Sequence, residues 1–62
     1  MITADSVTDE QIQDLNGRRY HDAINGDRIG DICIVALSQS HPEMRQRFRA
    51  RVAEILNAEA SK

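Results

Sequence analysis

Residues 27–37, Asp-Arg-Ile-Gly-Asp-Ile-Cys-Ile-Val-Ala-Leu, limit what this chain can fold into more than any other stretch. Ile29, Ile32, Cys33, Ala36 and Leu37 recur at helical spacing and form one apolar face. Ile34 and Val35 fall off that face, about 140° one way and about 120° the other way round from Ile29 at the helical repeat. A helix that is apolar nearly all round must be covered on several sides. A chain of 62 residues offers few elements to do the covering. Either neighbours on both flanks hide Ile34 and Val35, making this helix a central pillar, or the pair forms an apolar patch rimmed by charge, as interaction surfaces do.

The rest of the chain supplies two further helices. Thr8-Asp9-Glu10-Gln11 reads as a capping box, with Thr8 as N-cap and Gln11 reaching back to it. The first helix is expected over about 9–24, with Ile12, Leu15, Asn16, Ala23 and part of Tyr20 inward, and Gly17 weakens its middle by about 1 kcal/mol. Arg19 falls beside that stripe, where it would snorkel over the core edge or pair with an acid. Asn25-Gly26 supplies a left-handed stop and Asp27 a cap for the next helix, over about 28–38. Gly30 near its start either loosens the first turn or admits a close neighbour. Ser40 and Glu43 offer a second capping box around Pro42, and Met44, Phe48, Val52, Ile55 and Leu56 mark the stripe of a third helix over about 42–58. Short connections between three helices imply antiparallel neighbours around one core. The expected fold is therefore an all-α, compact three-helix domain covering 1–62, with 1–7 and 59–62 as loose ends.

So small a domain buries about 60% of its unfolded surface and typically gains about 3–5 kcal/mol, so stability shared with a second copy, as a weak homodimer, is a natural expectation. A single cysteine excludes an internal disulfide and a cysteine-rich metal site; Cys33, on the inward stripe, reads as a small hydrophobe. His21 and His41 have no metal-site spacing. There is no phosphate-binding loop, nucleophile elbow or HExxH motif, and so short a chain has little room for a desolvated pocket. The expectation is a protein without enzymatic activity and without cofactor. No signal peptide and no span of about 20 apolar residues is visible, which points to a cytoplasmic location.

Charge is unevenly spread. Residues 1–31 hold seven acids against three arginines, a balance of −4, while residues 32–62 balance at +2. Arg45, Arg47, Arg49 and Arg51 alternate along the third helix at about 100°, 300°, 140° and 340° from Met44. They flank the apolar stripe on both sides instead of forming one basic face. Three readings are open: a solvated or salt-bridged surface, contact with an acidic protein partner, or a helix-turn-helix-like DNA-binding regulator using this Arg-rich helix. The net charge of −2 argues against direct nucleic-acid binding. The candidate partner-binding residues are Tyr20, Ile34, Val35, Arg45, Arg47 and Arg49, Tyr and Arg being enriched at interface hot spots.

Residues 8–12 (Thr-Asp-Glu-Gln-Ile), Gly26-Asp27, Cys33-x-x-Ala36-Leu37 and the Arg-rich third helix with Ile55-Leu56 carry a resemblance across residues 8–58. The chain resembles the QseM-type antiactivators, short helical proteins of rhizobial integrative and conjugative elements. That resemblance implies a regulator that binds transcriptional activators, both a LuxR-type quorum-sensing regulator and the activator of element excision, and holds conjugative transfer off. It assigns no residues to that binding.

Overall fold

The computed structural model describes residues 1–18 and 28–61, and its regular elements are three helices: α1 (Asp9–Arg18), α2 (Ile29–Leu37) and α3 (Pro42–Ala60). The fold is all-α, as the periodicity requires. α2 packs against both α1 and α3 and is the central element. Its inward residues Ile29, Ile32, Cys33 and Ala36 are all buried, and they meet Ile12 and Leu15 from α1 and Val52 and Ile55 from α3. Ile2, Leu37, Phe48 and Leu56 close the edges of this core.

α1 begins on the capping box read from the sequence. The Thr8 amide donates to Gln11 Oε1 at 2.8 Å and the Gln11 amide donates to Thr8 Oγ1 at 3.1 Å. Asp9 and Glu10 occupy the first turn, at the positive end of the helix dipole. Thr8→Ala is expected to cost about 1 kcal/mol of stability in a urea titration; an unchanged midpoint would mean that the cap does not form in solution. Ile12 and Leu15 are fully enclosed, whereas Asn16, expected inward, is exposed. The continuation of this helix towards Ala23, with Arg19, Tyr20 and His21, and the Asn25-Gly26 stop lie outside the described residues.

Two helix starts differ from expectation. α2 starts one residue late, so Arg28 and not Asp27 stands at the N-cap, with extended backbone (φ −73°, ψ 119°) and no side-chain cap. α3 is capped at His41, also without a side-chain hydrogen bond, and Pro42 fills the first turn. The Ser40 and Glu43 capping box is therefore not made. With Pro at the first helical position, one of the free amides that a cap would satisfy is already missing. α3 also runs on to Ala60, where Glu59 is half-buried and lies 3.6 Å from Arg18. Gly30 is explained by close approach: a Cβ there would stand 3.3 Å from Asn16 Oδ1 of α1.

Residues 1–7, expected as a loose lead-in, are tied to the helices. Residues 3–7 form a tight turn in which the Ser6 and Val7 amides donate to the Thr3 carbonyl. Val7 is buried in the core and Ile2 packs at its edge. The Asn57 carboxamide then pairs with the Ile2 backbone in both directions, accepting from its amide at 2.9 Å and donating to its carbonyl at 2.7 Å.

Candidate functional site

The outer side of α2 is where sequence pattern and structure leave apolar surface over. Ile34 is 66% exposed and Val35 half-buried, although every other apolar residue of the helix is buried or half-buried. α1 and α3 cover α2 from the Ile29 and Cys33 side and stop short of Ile34. The outcome is divided between the two left open by the pattern: α2 is the central element and Val35 is half-covered, while Ile34 stands in water. Met44, expected in the α3 stripe, is also exposed at 43%.

The four alternating arginines of α3 divide into two i,i+4 pairs with opposite surroundings. Arg45 and Arg49 lie on the inward side, with Val52, Ala53 and Leu56. Arg49 is buried at 7% exposure. Its Nε donates to the Ala36 carbonyl at 3.0 Å, its Nη1 to the Val7 carbonyl at 2.9 Å, and its Nη2 pairs with the Asp9 carboxylate. A single guanidinium thus joins the C-terminal half of α2, the lead-in and the first turn of α1. Arg49 is a structural clamp and is withdrawn from the partner-binding candidates: a side chain with all three nitrogens engaged inside has none to offer a partner. Arg45 is half-buried, with its Nε enclosed and without a hydrogen-bond acceptor among the described residues. Tyr20 lies outside the described residues.

Arg47 and Arg51 face the other way. With Phe48 they form one wall of an open groove of about 350 Å³ whose other wall is Arg28, Asp31 and Ile32 of α2. Ile32 and Phe48 make its apolar floor. Arg51 Nη1 is 3.1 Å from Glu54 Oε2, and Arg47 is exposed without an ion-pair partner among the described residues. Of the partner-binding candidates Arg47 lines this groove, whereas Arg28, Asp31, Phe48 and Arg51 were not among them. The available signal was spacing: Arg28 and Asp31 are three residues apart and Arg47 and Arg51 four, so each pair shares one helix side.

Cys33, fully enclosed among apolar side chains, has its thiol pKa pushed up by burial. That is the setting of an inert structural cysteine. Among the described residues no group of three or more His, Cys, Asp and Glu side chains could hold a metal ion, and no helix is long and apolar enough to cross a membrane. Chemically the surface offers apolar contact and guanidinium hydrogen bonds. No known family model, curated protein or solved structure matches this chain.

Proposed function

We propose that this protein is a small non-enzymatic regulator that binds a transcriptional activator and inhibits it by covering a surface the activator needs. The observation that carries the reading is Ile34, 66% exposed on the central helix of so small a core. An isoleucine left in water on an otherwise apolar helix gains free energy only when something covers it, about 25 cal/mol for each Å² of apolar area removed from water. Val35 extends the patch, and Asp31, three residues before Ile34 and four before Val35, links it to the arginine-rimmed groove. The identity of the partner rests on the resemblance to QseM-type antiactivators, which points to a LuxR-type regulator or an excision activator and to control of mobile-element transfer. A DNA-reading role would have to do without Arg49, whose guanidinium is spent inside the fold.

The test is capture of each activator class by immobilised protein, native against Ile34→Asp. Loss of capture with helical content retained supports the proposal, and undiminished capture removes this patch as the contact surface.

A further inference from the structure

We infer that the groove between α2 and α3 takes an acidic, amphipathic helical segment of the protein partner. This rests on the partner-binding reading above and adds the chemistry of what is bound. In this arrangement an apolar side chain of the segment enters between Ile32 and Phe48, and its carboxylates meet Arg28 and Arg47.

The composition of the groove selects that occupant. Its floor is hydrocarbon: Ile32, 4% exposed at the inner edge, and the half-buried ring of Phe48. Its volume of about 350 Å³, open to solvent along its length, fits one or two side chains of a docked segment better than an engulfed small molecule. Three guanidinium groups stand around it; among the described residues Asp31 is the carboxylate of its lining, and Glu54 the one paired with Arg51. Arg47 and Arg51, four residues apart on one helix, repel each other, and such a pair costs stability when nothing answers it. Glu54 answers Arg51. Arg47 has no carboxylate among the described residues, and a partner carboxylate supplies one in the fork geometry that arginine favours.

Asp31 works in the opposite direction and sharpens the choice. A carboxylate at the lip repels a ligand that is anionic along its whole length, such as a nucleic-acid backbone. It tolerates a segment whose charges are interrupted by apolar positions. Because Asp31 also adjoins Ile34 and Val35, one helix lying across the groove reaches the exposed patch as well.

The inference is tested by titrating the full chain, ¹⁵N-labelled, with three probes: a synthetic amphipathic helix of leucine and glutamate, its isomer with lysine for every glutamate, and a DNA duplex. The expected result is saturable shifts of the Ile32, Phe48 and Arg51 amides with the glutamate peptide and none with the lysine isomer. Arg47→Glu, at an exposed position that leaves the fold intact, should weaken peptide binding about tenfold through lost attraction and new repulsion. Shifts elsewhere, equal binding of the lysine isomer, the same shifts with the duplex, or no effect of Arg47→Glu would each overturn it. Should the groove stay silent while Ile34→Asp abolishes activator capture, this inference fails and the proposed function stands. Should the peptide dock as expected while Ile34→Asp captures the activator undiminished, the groove stands and the Ile34 patch is removed; should the peptide dock while the native protein captures neither activator class, the proposed function fails and the groove chemistry stands.

Discussion

Arg49→Ala is expected to unfold much of the population at ambient temperature, although the residue belongs to a class that normally sits on surfaces. The substitution removes three donors at once and leaves the Ala36 and Val7 carbonyls facing the vacated space. Charge-assisted hydrogen bonds of this kind contribute about 1.5–3 kcal/mol each, so the loss is about 3 kcal/mol or more. The Asp9 pair adds less, because the Asp9 side chain is 61% exposed and water replaces the lost cation. A domain of this size typically holds only about 3–5 kcal/mol in all, and the expected loss is most of it. Lysine should rescue only in part, since one ammonium cannot reach acceptors that a planar fork spans. Cys33 provides a built-in readout. A fully enclosed thiol reacts only from opened molecules, so its labelling rate reports the open fraction. The rate should rise about a hundredfold in Arg49→Ala. Native-like labelling and an unchanged urea midpoint would show that the clamp contributes nothing.

Ile34→Asp is expected to do the opposite, leaving the fold nearly untouched while abolishing partner capture. The side chain is largely in water already, and substitutions at such positions usually change stability by less than about 0.5 kcal/mol. A carboxylate in the second half of α2 meets the negative end of the helix dipole and adds a few tenths of a kcal/mol to the cost. Binding should fall at least a hundredfold, because an unpaired charge would then be buried at the centre of the contact. Ile34→Lys is the control for sign. It suits the helix dipole and should bind just as poorly if what matters is the apolar surface. A lysine variant that binds as the native protein does would show that the activator contacts another face.

Much of the architecture could be read from the chain because it is written locally. The Thr8 and Gln11 exchange spans three residues, and the α2 pattern requires a helix covered on more than one side. The burial of Cys33 follows from angular position on that helix, whereas the exposure of Ile34 was one of two outcomes that its angle left open. What escaped the reading depends on partners distant in sequence. Arg49 lies about 140° from Met44, next to Val52 and Leu56 on the helical wheel. Nothing in its neighbours announces that carbonyls from residues 7 and 36 converge there to receive it. Ile2 and Val7 are isolated apolar residues with no period, and Asn57, which holds Ile2, stands 55 positions away. The groove itself was not legible: Arg47 was a candidate by residue type, with Arg45 and Arg49, while Arg28 and Asp31 gain meaning only once α2 is laid against α3.

The pairing of Asn57 with Ile2 sets an order of events during synthesis. Residues 1–7 are made before α3, yet the carboxamide that receives Ile2 and the guanidinium that receives Val7 both belong to α3. Until α3 emerges, Ile2 and Val7 have no shelter, and α1 has only part of the core it packs on. Closure of the domain therefore waits until α3 has emerged, and a nascent chain stalled before that point would display greasy, unclosed surface to chaperones and proteases.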